Sequence, residues 1–461
     1  MGFPEGFVWG ASTSAYQIEG GHDADGKGPS IWDDICRKPG AIKHDDTGDV
    51  ACDHYHRFAE DVGLMSEIGL RAYRFSIAWS RVLPAGVGEV NAAGLGFYDA
   101  LVDKLLEANI EPWITLYHWD MPLALHRRGG WLNRDSAEWF GEYTRVMVDR
   151  LSDRVSKWIT INEPQCFWNQ GYSDQSRAPG VGLTYAEFLA VIHNVLRAHG
   201  RSSRVIRERA KTTPSVGWAP VGVTWRPASA RAEDIEATRQ MVHGVRHRDP
   251  WNNTWYNDPI FFGRYPEDGL KLNHDVMPTI EAGDLELIHT PMDFLGINTY
   301  QGDAIRMGKN GPEKVPEPAG FPRNVMGWPI VPEVLYWGPK LIGERYDVPL
   351  YQTENGMAAH DWVASDGRVH DTHRIDFLHR YIGALKRAVE DGVNIRGYFH
   401  WSLLDNFEWR EGYEPRFGLV HVDYQTLKRT PKDSAAWYAR VIETNGGSLE
   451  KAPAVRVGSE V

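Results

Sequence analysis

Two glutamates end apolar, β-branched runs of the sequence, and they are the side chains with the clearest capacity for chemistry. Glu163 closes the run WITINE, and Glu354 closes the run LYQTE much later in the chain. Burying a carboxylate at such a position is costly unless the protein uses it. Two carboxyls that face each other across a pocket are the parts needed to hydrolyse a glycosidic bond. One donates a proton to the leaving oxygen, and the other attacks the anomeric carbon.

These two roles require environments that separate the two pKa values. Arg74 is predicted to lie near Glu354 and to hold it ionised by its opposite charge. Glu163, followed by Pro164 and flanked by aromatic residues, is expected to have its pKa raised by desolvation. Once Glu354 loses its charge in an ester, Glu163 becomes more acidic and can act as a base toward water. For either glutamate alone, the alternative interpretation is a solvent-exposed carboxylate at a strand end. The presence of two such glutamates makes that interpretation weaker.

The elements that must position these groups follow a regular pattern. Short, continuously apolar runs alternate with amphipathic helix patterns, as expected for parallel strands covered on both faces. The strand-like runs begin at Phe7, Ala72, Pro112, Lys157, Ser215, Asp293, Pro349 and Arg396. The pattern predicts an α/β fold, a single-domain (β/α)8 TIM barrel over residues 1–450 with long loops over its C-terminal face, and a C-terminal tail over residues 451–461.

The clearest helix patterns cover residues 58–68, 95–106, 139–151, 188–206 and 375–389. Residues 308–329, rich in Gly and Pro, predict a long loop above the barrel. In such a barrel, chemistry takes place at the C-terminal ends of the strands. The polar and aromatic residues predicted at or near those ends are Arg74, His118, Trp119, Asn162, Asn298, Tyr300 and Trp401. We therefore expect them beside the two glutamates.

Bulk composition excludes several classes of partner. The net charge of −12 argues against nucleic acid. No window reaches the ~18 uninterrupted apolar residues of a membrane span, and the start MGFPEGFVWG lacks the pattern of a secretory signal. Three cysteines at irregular spacing give no disulfide framework and fit a reducing compartment. These features predict a cytoplasmic protein and leave its oligomeric state open.

A metal site is the main competing interpretation of one segment. Residues 44–56, HDDTGDVACDHYH, contain histidines, aspartates and a cysteine, but their spacing fits no ligand pattern and lacks the helical i, i+4 pair. A loop before a helix starting near Asp53 is the better interpretation. We expect no metal and no cofactor, because two carboxylates supply the chemistry. Cys166 has no accompanying histidine motif, so packing is its predicted role.

Six motifs, SAYQIEG, YRFSIAWSR, YHWDMP, TINEP, TENG and WSLLDNFEWREGYEPRFGLVHVDY, occur in one order along the chain. Together they closely resemble glycoside hydrolase family 1, the β-glucosidase family, from Phe3 to about Ile442. The resemblance implies a retaining enzyme that releases terminal, non-reducing β-linked glucose from short oligosaccharides and from aryl or alkyl glucosides. It implies Glu354 as nucleophile and Glu163 as acid/base, with Arg74, Asn298 and Tyr300 beside them.

The resemblance also implies a binding site for the non-reducing sugar. Its substrate-binding residues would be Gln17, His118, Trp119, Asn162, Trp328, Trp401, Glu408, Trp409 and Phe417. The pair Glu408 and Trp409 stands where the phospho-sugar branch carries a phosphate-binding set, so a 6-phosphate substrate is not expected. Galactose and fucose stay open beside glucose, as do aglycone preference, chain length, product inhibition and transglycosylation.

Two departures from the family pattern concern the leaving-group side. Gln165 stands where the resemblance predicts an aromatic residue, and GYSDQSRAPG, with Asp174, lacks an expected glycine. We predict a more polar cavity entrance that changes aglycone preference. Two other functions stay open at this stage: a non-catalytic sugar-binding barrel, and a metal-dependent hydrolase built on His118, Asp120 and residues 44–56.

Overall fold

The computed structural model describes residues 2–173 and 178–450. Eight parallel strands form one sheet in which neighbours in the chain are neighbours in space. They are Val8–Ser12, Ala72–Ser76, Glu111–Tyr117, Lys157–Asn162, Ser215–Ala219, Leu295–Asn298, Leu350–Asn355 and Ile395–Trp401, numbered here as the first to eighth strands. The predicted α/β barrel is confirmed, and all eight predicted strands are present. The predicted tail, 451–461, and Asp174 lie outside the described residues.

The barrel closes between its fifth and sixth strands through separate hydrogen bonds. The Gly222 amide donates to the Asn298 carbonyl at 2.9 Å, and the Asp293 amide donates to the Val216 carbonyl at 2.9 Å. A parallel bridge joins Val221 to Asn298. The carboxyl ends of all eight strands therefore meet at one mouth, as the sequence pattern requires.

Apolar packing fixes the strands on both faces. The second strand is buried along its whole length. Inside the barrel, the Trp113 ring lies 5.3 Å from that of Phe294 and 5.1 Å from that of Phe399, measured between centroids. Helices cover the outer face; the main ones are His54–Ile68, Ala92–Glu107, Ser136–Leu151, Tyr185–Arg209, Ala232–His243, Thr254–Phe262, Val334–Arg345, Thr372–Glu390 and Asp433–Glu443.

The predicted loop at 308–329 is partly wrong. Ala304–Gly308 and Gly311–Val315 pair as an antiparallel hairpin. Gly311 has φ of 113°, a conformation that glycine adopts without steric cost and that allows the tight reversal. The remainder, residues 316–329, carries no strand or helix and reaches the barrel mouth at Trp328.

Candidate active site

Glu163 lies on a strained turn immediately after the fourth strand. Its φ of 45° is in the left-handed region, which costs a non-glycine residue energy and often accompanies a functional site. The Glu163 amide donates to the Ala219 carbonyl at 2.8 Å, and this bond fixes the turn against the fifth strand. The side chain is buried and lines a cavity at the mouth of the barrel.

Both oxygens of Glu163 accept hydrogen bonds. Asn298 Nδ2 donates to Oε1 at 3.0 Å, and Cys166 Sγ donates to Oε2 at 3.3 Å. Burial, followed by the negative charge of Glu354, raises the pKa of Glu163 to about 8, against the smaller opposing effect of these bonds. Glu163 is therefore protonated at neutral pH, as an acid catalyst must be.

Glu354, in the seventh strand, has a different set of neighbours. Arg74 Nη1 donates to its Oε1 at 2.5 Å, and Tyr300 Oη donates to its Oε2 at 2.8 Å. Burial raises the pKa of Glu354, while Arg74 and then Tyr300 act in the opposite direction. Among residues 2–173 and 178–450, no Lys or Arg forms an ion pair with Glu163, whereas Arg74 pairs with Glu354, so the proton that the two carboxyls share resides on Glu163. The predicted Arg74–Glu354 contact is confirmed.

Asn162, the last residue of the fourth strand, connects these groups. Its Oδ1 accepts from Arg74 Nη2 at 2.6 Å and from Asn298 Nδ2 at 3.0 Å. Its Nδ2 lies 3.2 Å from His118 Nε2. Burial and then Arg74 hold the pKa of His118 well below its usual range, so His118 is neutral and its Nε2 can accept the bond from Asn162.

A third carboxyl, that of the half-buried Glu408, lines the same cavity. Gln17 Nε2 donates to Glu408 Oε2 at 3.3 Å and to Asn406 Oδ1 at 3.0 Å. Burial and then the charges of Glu354 and Glu163 raise the pKa of Glu408 to about 8. Three carboxyls around one cavity therefore share fewer than three negative charges at neutral pH.

Aromatic side chains form the walls. The Trp401 ring stacks on His118 at 5.7 Å between centroids, with 18° between the planes. The centroid of the Trp328 ring lies 5.3 Å from that of Tyr300 and 6.2 Å from that of Phe417. A cavity with apolar walls and a few polar groups suits a ring that carries both C–H faces and hydroxyls.

The cavity has a volume of about 550 Å³. Sequence-predicted residues that line it are His118, Trp119, Glu163, Asn298, Tyr300, Trp328, Glu354, Trp401, Glu408, Trp409 and Phe417. The other three predicted residues, Arg74, Asn162 and Gln17, are buried behind the wall and bonded to lining or neighbouring residues. The structure thus brings all fourteen predicted residues into one cluster.

The structure extends one prediction beside Glu163 and corrects another. Cys166 packs against the hydrophobic core, as predicted, and it also lines the cavity and bonds to the Glu163 carboxyl. Gln165 was predicted to make the entrance polar, but it is 0% exposed and points into the protein. Its Oε1 accepts from the Val221 amide at 3.1 Å, because a buried amide must find partners.

Residues 44–56 do not converge. His54 Nδ1 bonds to Asp61 Oδ2 at 2.7 Å, whereas His56 Nδ1 bonds to Asp53 Oδ1 at 2.6 Å. The helix begins at His54, close to the predicted start. Over residues 2–173 and 178–450, no group of three or more His, Cys, Asp or Glu side chains is arranged to hold a metal ion.

The sequence model of glycosyl hydrolase family 1 matches residues 1–447. The chain belongs to glycosyl hydrolase family 1. Among curated relatives, β-glucosidase A of Thermotoga maritima is 47% identical over 96% of this chain and 98% of its own. Aryl-phospho-β-D-glucosidase of Bacillus subtilis is 38% identical over 97% of this chain and 98% of its own. The Thermotoga maritima β-glucosidase structure with glucoimidazole has a TM-score of 0.88 and 45% identity, over 96% of this chain and 99% of that one.

Family 1 membership over nearly the whole chain confirms the predicted enzyme class. The chain is a retaining β-glucosidase, and the family assignment removes the non-catalytic barrel and the metal-dependent hydrolase as interpretations. The catalytic cavity contains both carboxyls that this family 1 reaction needs. In the described part of the chain, no helix is both long and apolar enough to span a membrane.

Proposed function

We propose that the enzyme hydrolyses unphosphorylated β-glucosides with Glu354 as nucleophile and Glu163 as acid/base. The observation that carries this assignment is the asymmetry of the pair. Glu354 accepts from Arg74 and Tyr300. Glu163 is buried, has no ion pair with a cation in the described part of the chain, and its pKa rises to about 8. The ionised member of such a pair attacks, and the protonated member donates.

In the first step, a Glu354 oxygen bonds to the anomeric carbon as the bond to the leaving oxygen breaks. Glu163 gives its proton to that oxygen, so the aglycone departs as a neutral alcohol. Glu354 is then an uncharged ester, and Glu163 is the only ionised member of the pair. In the second step, Glu163 takes a proton from water, the water oxygen bonds to the anomeric carbon, and Glu354 leaves as a carboxylate.

The family resemblance supports roles for the sugar-binding residues. Gln17 and Glu408 would bind the 4-OH region, His118 and Trp409 the 3-OH, and Asn162 the 2-OH. Trp401 would form the floor beneath the ring, Phe417 the wall near the 6-position, and Trp328 the wall for the leaving group. The contact of Gln17 with Glu408 supports their shared role at the 4-OH, and the contact of Asn162 with His118 supports roles at the neighbouring 2-OH and 3-OH.

One relative is named an aryl-phospho-β-D-glucosidase, so phosphorylated glucosides are a second candidate substrate. The electrostatics favour the unphosphorylated sugar. A phosphate at the 6-position would lie near Glu408, which already feels the negative charge of Glu354. A dianion there would be repelled by Glu354 and by the ionised form of Glu408. We expect 4-nitrophenyl β-glucoside to be hydrolysed and its 6-phosphate not to be; the reverse preference contradicts the proposal.

Galactose is a second candidate for the sugar. A Thermotoga maritima β-glucosidase structure, 45% identical to this chain, contains galacto-hydroximolactam. Glucose and galactose differ only at the 4-position, where Gln17 and Glu408 are proposed to bind. Comparing rates on nitrophenyl glucoside, galactoside and fucoside, and on cellobiose, will rank the sugars; a galactoside preference contradicts the glucosidase assignment.

Trapping tests the role of Glu354 directly. Dinitrophenyl 2-deoxy-2-fluoro-β-glucoside should form a stable ester, visible in the intact mass of the protein, and peptide mapping should place it on Glu354. The variant Glu163→Ala should still be labelled, because the activated aglycone needs no proton. Label on another residue, or label abolished by Glu163→Ala, contradicts the assignment.

The remaining sequence predictions are proposals too. The sparse cysteine content supports a cytoplasmic location, and the net charge of −12 supports the absence of a nucleic-acid partner. Cell fractionation tests the first: recovery in a secreted fraction contradicts it. A one-domain barrel over residues 1–450 with a tail over 451–461 predicts that trimming the tail leaves activity intact.

A further inference from the structure

The mouth of the catalytic cavity carries a tryptophan that the catalytic and sugar-binding roles leave unassigned. Trp251 is 39% exposed, whereas Trp401 and Trp409, which line the same cavity, are each 4% exposed. Exposure therefore rises from the sugar end toward solvent. Trp251 therefore lies nearer to solvent than Trp401 and Trp409, at the open end through which a leaving group can depart.

Gln165 fixes the backbone next to Trp251. Its Nε2 donates to the Val221 carbonyl at 3.2 Å and to the Asn252 carbonyl at 3.4 Å. Its Oε1 accepts from the Val221 amide at 3.1 Å. One buried amide side chain thus joins the loop after the fifth strand to the segment that carries Trp251, which an aromatic side chain at position 165 could not do.

A second amide side chain holds the same segment. Asn253 Nδ2 donates to the Val223 carbonyl at 2.8 Å, and Asn253 Oδ1 accepts from the Val223 amide at 3.1 Å. The helix Thr254–Phe262 starts directly afterwards. The backbone around Trp251 is therefore held in place before any ligand arrives, and a ligand that stacks on the indole avoids part of the cost of ordering it.

The chemistry of this position suits a second ring. An exposed indole offers a flat apolar face, which packs against the C–H face of a sugar or against an aryl ring. Gln301 and Asp303, which line the same cavity, offer hydrogen bonds to the hydroxyls of such a ring. A leaving group without a ring gains nothing from such a surface.

We propose that Trp251 determines leaving-group specificity by stacking on a ring beyond the scissile bond, and that Gln165 positions it. This inference rests on the proposed β-glucosidase function and adds the residue that favours ring-bearing leaving groups over leaving groups without a ring. It also replaces the predicted polar entrance. The departure at Gln165 changes the entrance by holding an aromatic residue there from behind the wall.

The test compares substrates that share the glucose unit and differ in the leaving group. Cellotriose and 4-nitrophenyl β-glucoside carry a ring there, whereas β-glucosyl fluoride carries one atom. For Trp251→Ala we expect kcat/KM to fall about fivefold on the ring-bearing substrates, the size typical of a lost aromatic contact. On the fluoride it should stay within about twofold of the parent enzyme, since no contact is lost there. Trp251→Phe should restore most of the loss.

Gln165→Met removes the hydrogen bonds and keeps a side chain of similar volume. We expect a selective loss in the same direction, and the double variant should lose less than the product of the two single losses, because Gln165 acts through Trp251. Trp362→Ala is the matched control: Trp362 is 73% exposed and does not line the cavity, so its removal should leave every rate unchanged.

Equal losses on all three substrates, or no loss on the ring-bearing pair, would overturn the proposal. Multiplicative losses in the double variant would overturn the positioning role of Gln165. These outcomes are distinct from failure of the proposed function, which would appear as a parent enzyme that does not hydrolyse β-glucosyl fluoride at all.

Discussion

The raised pKa of Glu163 predicts an alkaline limit of activity that depends on the charge of Glu354. The pKa of Glu163 is about 8, so the free enzyme holds the catalytic proton below that pH. We expect kcat/KM to fall as the pH rises through about 8, because Glu163 then loses the proton that it must donate. The informative perturbation is to neutralise Glu354 while Glu163 stays in place.

The size of the effect follows from the causes of the shift. Burial is the largest and the charge of Glu354 the next. At the separation of about 5 Å that retaining pairs show, with an effective dielectric constant of about 20, one charge contributes about 3 kcal/mol, or about 2 pH units. Neutralising Glu354 should therefore lower the Glu163 pKa to roughly 6, still above the usual value because burial remains.

The assay is carbon NMR of enzyme labelled at the glutamate side-chain carboxyl. The Glu163 resonance is identified by its loss in Glu163→Gln. Its titration gives the pKa of Glu163 in the free enzyme, in the enzyme trapped with the fluoroglucoside and in Glu354→Gln. Because Glu354→Gln contains no sugar, it separates the loss of charge from the presence of ligand. A pKa that stays near 8 in both states would refute the pairing, because burial alone would then set it.

Two further predictions concern contacts away from the reacting atoms. Cys166→Ala removes a hydrogen bond that favours ionised Glu163, so the alkaline limit of kcat/KM should move up by about half a pH unit, and Cys166→Ser should move it back; a downward shift would contradict the contact. Lys432 is fully buried and donates to Asp361 and Asp405, each at 2.6 Å. Lys432→Met should lower the free energy of unfolding by about 3 kcal/mol or more, since it leaves carboxylates buried without this cation. Calorimetry should show a clear fall in the melting temperature, against almost none for Arg37→Ala in an exposed pair; equal effects would contradict the argument.

The barrel could be predicted from the sequence because its strands are buried on both faces and read as continuous apolar runs. The second strand, Ala72–Ser76, is an example, with every residue buried. The hairpin of Ala304–Gly308 and Gly311–Val315 could not be predicted in the same way. Its outer strand is partly exposed and contains Pro312, so it lacks the apolar signal of the barrel strands.

The catalytic pair could also be predicted, because barrel topology brings strand ends together whatever the distance along the chain. The contact between Arg74 and Glu354 follows from that rule. The positions of Gln165 and Trp251 do not follow from barrel topology. They depend on loops whose course is set by single hydrogen bonds, such as that between Gln165 and the Asn252 carbonyl, and no periodic pattern encodes such a bond. The proximity of Cys166 to Glu163 in the sequence was the one available signal for their contact.

The central claim is that Glu354 attacks the sugar and Glu163 handles the proton, and the anomer formed with azide tests it most directly. In Glu354→Gly, azide can enter from the face that the nucleophile has vacated, so the predicted product is the α-glucosyl azide. In Glu163→Ala, the glycosyl ester still forms on Glu354, and azide attacks it from the opposite face to give the β-glucosyl azide. The account predicts α from the first variant and β from the second; the reversed pair of products would contradict it.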